Sequence, residues 1–263
     1  MSFPRHFPHP RRAFAACAVA LLALFLFFCA GRETVTVLMY HNFSPEEAHC
    51  EGAWTMQPDK LREDLQWLAE HGYETVLPRE LAAQQRDDGS PLPEKMVMLT
   101  FDDGYESNFT YAYPILQEYG AKAAVALIVS RIDADEGFLT WNECREMEQS
   151  GLIEFGSHTY DHHIREEVNG VERLKGETQL AYEQRIGGDL DESIRILQRE
   201  LGHAPTYFAY PLGKVEPWAD ELLRERFAVT VTSKEGRADL SRGTYKLPRY
   251  NITQTMRAEK FVR

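Results

Sequence analysis

"KMVMLTFDDG" (Lys95–Gly104) sets an uninterrupted apolar run directly against two adjacent carboxylates. A short continuous apolar run closed by a glycine turn reads as a strand buried on both faces, the kind found in parallel sheets covered by helices. Asp102 and Asp103 then stand at its C-terminal tip. Ionised side by side they repel, and no basic residue lies between Lys95 and Lys122 to offset them. A pair that costs stability locally points to a bound metal, a catalytic carboxylate, or both. The alternative is a polar turn, since Asp and Gly commonly close buried strands.

The surrounding chain repeats the same unit. "TVTVLMY" (Thr34–Tyr40) is a β-branched strand that ends at His41, and "KAAVALIV" (Lys122–Val129) and "LIEFGS" (Leu152–Ser157) are further buried strands. Between them, "PDKLREDLQWLAEHGY" opens with Pro58, aligns Leu61, Leu65 and Leu68 on one face and stops at Gly72, as a capped helix should. "SNFTYAYPILQEYG" reads as a helix whose start Pro114 kinks or shifts. "TWNECREMEQSG" carries a Thr140 cap, with Glu143 three residues on. A long helix is expected over residues 177–201, with Ile186, Leu190, Ile194, Leu197 and Leu201 at spacings of three and four. "PTYFAYP" and "AVTVT" read as strands around the helix "PWADELLRERF", and "YKLPRYNI" as a last short strand. Alternating strands and helices imply a parallel sheet with helices outside, and the count fits a barrel of seven or eight strands. In such a barrel the strand tips share one face, and active sites lie there. His41, Asp102, Asp103, His158 and "AYPLG" all fall just after strands.

With 263 residues, the chain is long enough for one large domain or two small ones. Its 41 acidic and 29 basic residues leave a net charge of −12, which argues against a general nucleic-acid partner. Arg11 and Arg12 precede an uncharged apolar run from Ala13 to Ala30, and Arg32 follows. That run is long for a signal-peptide core and sufficient for a tilted membrane helix. Residues 1–32 are therefore expected to be a signal peptide or membrane anchor, and residues 33–263 an exported, extracytoplasmic domain, either tethered or secreted. Cys50 and Cys144 are 94 positions apart and show no metal-type spacing; a disulfide and two free thiols are both compatible with the sequence.

"SHTYDHH" (Ser157–His163) places three of the nine histidines within six positions after a buried strand. Histidines at that density are metal-ligand candidates. With Asp103 they make a two-histidine, one-carboxylate set with open positions for water, which zinc, cobalt, nickel or ferrous iron accepts.

"TFDDGY", "SHTYDHH", "FAYPLG" and "LPRYNI" together resemble the polysaccharide deacetylases of the NodB-homology type, carbohydrate esterase family 4. "VLMYHNF" and "LPRYNI" resemble more specifically the branch that includes poly-N-acetylglucosamine deacetylases. The resemblance runs from about Thr34 to Ile252. It implies a distorted (β/α)7 barrel and a divalent metal, with zinc the first choice. It also assigns roles: Asp102 as general base, and Asp103 as metal ligand with His158 and a second histidine. The commoner spacing of the family, His-x3-His, selects His162; that of the poly-N-acetylglucosamine branch, His-x4-His, selects His163. The branch-like motifs elsewhere favour His163. A backbone N–H at Leu212 would hold the oxyanion.

The sequence departs from the family pattern in two places. No histidine follows His203, where many members carry a late acid, and Ala209 stands where they carry the arginine that orients the base. Arg249 is the expected substitute for that arginine and His41 for the acid. The implied function is hydrolysis of N-acetyl groups on a cell-envelope polysaccharide, an N-acetylglucosamine polymer or peptidoglycan, by a monomer. The alternatives are an O-acetyl carbohydrate esterase and a non-catalytic carbohydrate-binding protein. Tyr40, Trp141, Tyr160 and Tyr210 are candidates for stacking on sugar rings, with core packing as the alternative.

Overall fold

The computed structural model describes residues 34–262 apart from 51, 87, 90, 166 and 167, and only the backbone of residues 164, 165, 168 and 169. The expected export segment and the boundary at residue 32 lie outside this range. Among the described residues no helix is long and apolar enough to cross a membrane.

The apolar runs form a curled parallel sheet. Strands β1 (Thr34–Tyr40), β2 (Met96–Asp103), β3 (Ala123–Leu127), β4 (Ile153–Ser157), β5 (Tyr207–Ala209) and β6 (Val229–Val231) pair side by side in chain order, all parallel. The gap between the first and last of them is spanned by one irregular segment, residues 247–251. Leu247 bridges Val231 of β6, and Tyr250–Asn251 pairs with Leu38–Met39 of β1. A two-residue strand, Ala238–Asp239, adds antiparallel to the start of β1. The expected barrel is therefore distorted, with one wall made of loop.

Helices α1 (Pro58–Glu70), α2 (Pro78–Gln85), α3 (Tyr113–Tyr119), α4 (Trp141–Gln149), α5 (Gln179–Leu201) and α6 (Ala219–Arg224) connect the strands. Leu61, Leu65 and Leu68 of α1 are buried as their spacing requires. Thr140 and Glu143 form the expected capping box of α4. The segment before Pro114 differs from a simple helix. Residues 108–112 form a single π-helical turn, and Pro114 falls in the first turn of α3, where its missing N–H has no cost. The strand expected at "PTYFAYP" shrinks to Tyr207–Ala209.

Strand periodicity sorts the strand side chains onto two faces. Val35, Val37, Met96, Met98, Ala124, Ala126, Tyr207, Ala209, Val229 and Val231 fill the barrel interior as one cluster. The alternate residues, among them Leu38, Val97, Leu99, Phe101, Val125, Ile153 and Phe155, pack outward beneath the helices. Gly156 belongs to the interior set because a Cβ there would lie 2.4 Å from the ring of Tyr207. Cys50 and Cys144 are both buried free thiols.

Candidate active site

Strand parity alone would send two adjacent carboxylates to opposite faces, and a break in the backbone brings them to one place. Asp102 has the parity of Met96, Met98 and Thr100, so it points into the barrel. Asp103 has the parity of Val97, Leu99 and Phe101, which pack outward. At Asp103, however, φ is +75°, a region that non-glycine residues rarely occupy, and the strand ends there. Both carboxylates line one cavity of about 280 Å³ at the C-terminal mouth of the barrel, with His41, Trp54, Tyr105, His158, His163, Leu212 and Arg249. Leu212, another non-glycine residue with positive φ (+57°), lines the same cavity, and Thr159 (+75°) follows His158 directly. Such outliers persist only where their surroundings over-determine them.

Arg249 comes from the irregular wall. Its guanidinium meets Asp102 as a two-pronged pair, Nη1 to Oδ1 and Nη2 to Oδ2, each at 2.8 Å. Its Nε donates to the carbonyl of Thr232 at 2.9 Å. Both partners are buried. Burial by itself raises the Asp102 pKa, but the guanidinium outweighs it and holds the carboxyl well below the usual carboxylate range.

Asp103 is held differently. Its Oδ1 is buried and has no hydrogen-bond partner among the described residues. That oxygen lies 3.6 Å from Nε2 of His158 and 3.3 Å from Nε2 of His163. The Tyr105 hydroxyl donates a hydrogen bond to the Asp103 carboxylate, and burial together with that carboxylate pushes the tyrosine up to about 12. His158 Nδ1 lies 2.8 Å from the carbonyl of Ala209. A carbonyl only accepts, so Nδ1 carries the proton and Nε2 presents a lone pair toward Asp103. Burial depresses the pKa of His158 and of His163 to about 4, so both imidazoles are neutral near pH 7. One ligand atom from each of Asp103, His158 and His163 lies within 4.8 Å of the others. An orphaned buried carboxylate oxygen facing two neutral imidazoles fits a divalent cation: the donor set is complete, and the unpaired oxygen otherwise costs free energy.

His162 does not join this group. Its Nδ1 lies 2.6 Å from Oδ2 of Asp189, and it does not line the cavity. His41 does line it. Its Nε2 is 4.0 Å from Asp102 Oδ2, burial holds its pKa near 4, and its backbone carbonyl accepts from Asn108 at 2.8 Å. Leu212 lies in the short turn Pro211–Gly213 after β5. A Cβ on the following Gly213 would fall 1.7 Å from the Ser233 hydroxyl, so the turn approaches the next loop as only glycine permits.

Of the aromatics singled out from the sequence, Tyr40, Trp141 and Tyr210 are buried, and Tyr160 is half-buried beside the loop. The exposed aromatic at the mouth, beside Tyr105, is Trp54, 57% exposed, with its ring 4.5 Å from that of His41. It sits in a loop that no strand or helix pattern marks, so no sequence signal drew attention to it. Tyr105 closes the motif "TFDDGY" but had no role of its own there, and Asp189 lies inside a helix, where no local signal singles it out.

A family model described as polysaccharide deacetylase matches residues 89–226. The chain is 31% identical over 230 residues to YxkH of Bacillus subtilis, whose name places it among the polysaccharide deacetylases; the match covers 86% of this chain and 74% of that protein. It is 30% identical over 253 residues to the poly-beta-1,6-N-acetyl-D-glucosamine N-deacetylase of Escherichia coli, covering 85% of this chain and 37% of that longer protein. The structure of the Streptococcus pyogenes deacetylase PplD in complex with acetate superposes with a TM-score of 0.73 at 27% identity, covering 88% of this chain and 98% of that one.

Proposed function

The chain belongs to the polysaccharide deacetylase family, and on that premise we propose that it is a metal-dependent hydrolase that removes N-acetyl groups from an N-acetylglucosamine polymer of the cell envelope and releases acetate. The observation that carries the reading is the unpaired Oδ1 of Asp103 facing two neutral histidines, next to an Asp102 that Arg249 keeps ionised. The choice of polymer is supported by the likeness to the Escherichia coli enzyme.

Asp103, His158 and His163 would hold the ion. A divalent ion there, zinc in the first instance with cobalt, nickel or iron as alternatives, supplies Lewis acidity at the acetyl carbonyl and makes the attacking water more acidic. Asp102 is the general base. Fixed on both oxygens by Arg249, it stays charged and correctly oriented as water attacks the amide carbon. The backbone N–H of Leu212 donates to the developing oxyanion. The C–N bond then breaks, and the amine nitrogen must gain a proton. His41 sits 4.0 Å from Asp102, so the proton taken from water can pass through its ring to the leaving amine. The half-exposed Trp54 indole and the Leu212 side chain frame the opening for a sugar ring and its methyl group. Residues 1–32 would deliver the domain of residues 33–263 across the cytoplasmic membrane, and would anchor it there if they are retained.

The test is acetate release from poly-β-1,6-N-acetylglucosamine, chitin oligomers and peptidoglycan side by side, with and without chelator. Release from the first, abolished by chelator and restored by zinc, is expected. Release only from O-acetylated glycans would make the protein an esterase. Metal-loaded protein that releases acetate from none of them would leave a binding protein.

A further inference from the structure

We infer that Asp189, on helix α5, is the positioning residue that determines which of the adjacent histidines faces the metal, by clamping loop 159–163 from behind. This inference rests on the reading of Asp103, His158 and His163 as metal ligands.

Asp189 lies in the middle of a 23-residue helix, where an aspartate is a poor choice for helix formation. It is nevertheless 7% exposed, and its carboxylate is fully used by the loop. Oδ1 accepts the backbone N–H of Tyr160 at 2.8 Å, and Oδ2 accepts the N–H of Asp161 at 2.9 Å. Oδ2 also meets Nδ1 of His162 at 2.6 Å. An ionised carboxylate has lone pairs enough for three donors, whereas an amide or a hydroxyl does not. One turn further along the same helix face, the Ser193 hydroxyl meets the Ser157 hydroxyl at 2.6 Å.

The loop is pinned from the other side as well. Val129 and Ser130, just beyond β3, donate their N–H groups to the carbonyls of Thr159 and Tyr160 at 3.2 and 2.9 Å. With its amides on α5 and its carbonyls on the β3 end, the segment can hold only one backbone orientation. In this pinned, bent segment, whose His162 N–H also donates to the Thr159 hydroxyl at 3.2 Å, the His162 ring goes to Asp189 and the His163 ring to Asp103. The histidine spacing alone is compatible with either choice, and a helix 27 positions downstream selects one.

Two substitutions separate the parts of the clamp. Asp189→Asn keeps shape and one acceptor oxygen but turns an NH2 group toward a backbone N–H, so it breaks the backbone hold. His162→Ala removes the imidazole and leaves the backbone hold intact. Cobalt(II) titration of the full chain, followed by visible absorption at a temperature well below the melt, reads both affinity and coordination. His162→Ala should bind cobalt much as wild type does, with the same spectrum. Asp189→Asn should bind about 10- to 100-fold more weakly, as loss of a group supporting a ligand does. Its spectrum should change, and excess metal should restore turnover. Asp189→Ala should be weaker still; if it fails to fold, Asp189→Asn decides alone. Wild-type affinity and spectrum in Asp189→Asn, with only a lowered melting temperature, would reduce Asp189 to a fold-stabilising residue. An emptied site in His162→Ala would equally overturn the inference. A wild-type chain that takes up no metal would remove the functional reading itself, and this one with it.

Discussion

The barrel interior buries a carboxylate at each end and treats the two oppositely. At the N-terminal end Glu154 stands in register with Ala124 of β3, inside the sheet. Its Oε2 accepts the N–H of Arg79, in the first turn of α2, at 2.9 Å, and the Thr206 hydroxyl donates to Oε1. Both of its oxygens thus have fixed neutral donors, and a helix N-terminus adds a favourable dipole. Among the described residues no cation forms an ion pair with it, and burial outweighs the more distant Arg79 and His203 and raises its pKa. At the C-terminal end Asp102 meets a full guanidinium that pulls its pKa down, while its neighbour Asp103 keeps one oxygen unpaired. Burial costs free energy at both ends. Of these carboxylates, Glu154, Asp102 and Asp103, only Asp103 keeps a buried oxygen without a hydrogen-bond partner among the described residues.

The contrast is broken most severely at the proposed metal ligands. Asp103→Asn and His158→Ala are each expected to lose metal and acetate release together; stoichiometric metal in either variant would erase the distinction drawn between the two ends. Asp102→Asn comes next. Turnover should fall by about 10²- to 10⁴-fold, the range for losing a general base, while metal content stays at wild-type level. Loss of metal in that variant would mean that the two aspartates have exchanged roles.

Glu154→Gln probes the other end, and its effect should be confined to stability. The amide oxygen keeps the Arg79 N–H, and the Thr206 hydroxyl can turn to accept, so the cost should not exceed about 1–3 kcal/mol. The pH dependence carries a definite sign. A folded pKa raised above the unfolded one means that the fold binds this proton more tightly. Wild-type stability therefore falls as pH rises from the ordinary glutamate value, about 4.3, through the raised folded value, and levels off above it. Glutamine cannot ionise, so thermal melts of the variant should show a shallower decline across that window. An unchanged slope would show that Glu154 does not titrate with the fold. The smallest effect is expected at Trp54→Ala. Stacking of this kind is worth roughly 0.5–1.5 kcal/mol, or about two- to tenfold, and should raise KM while leaving kcat unchanged. A fall in kcat instead would show that the indole acts through His41, whose ring it touches.

The elements most legible in the sequence were those governed by local periodicity. The continuous apolar runs became the parallel strands, and the capping signals at Pro58 and Thr140 began helices where expected. The strand-end positions of His41, Asp102, Asp103 and His158 followed from the same runs, since a parallel sheet brings all its C-terminal tips to one edge. Trp54 was not legible, because an irregular loop has no period and its place over His41 depends on how that loop folds back.

What the sequence by itself determined was therefore an inventory and an order: buried strands, amphipathic helices, and metal-type side chains at strand tips. Only the tertiary structure decided the pairings. Arg249, which the resemblance implied as the partner of the base, reaches Asp102 across 147 positions because the irregular segment 247–251 completes the barrel wall between β6 and β1. Asp189 holds His162 across 27 positions because α5 packs behind the loop. The physical reason is one of range. Helix and strand propensity act over a few residues and leave a pattern in the string. A hydrogen bond between distant residues depends on where the chain has been carried, and the local pattern marks neither partner for the other; only the family resemblance pointed from Arg249 to Asp102.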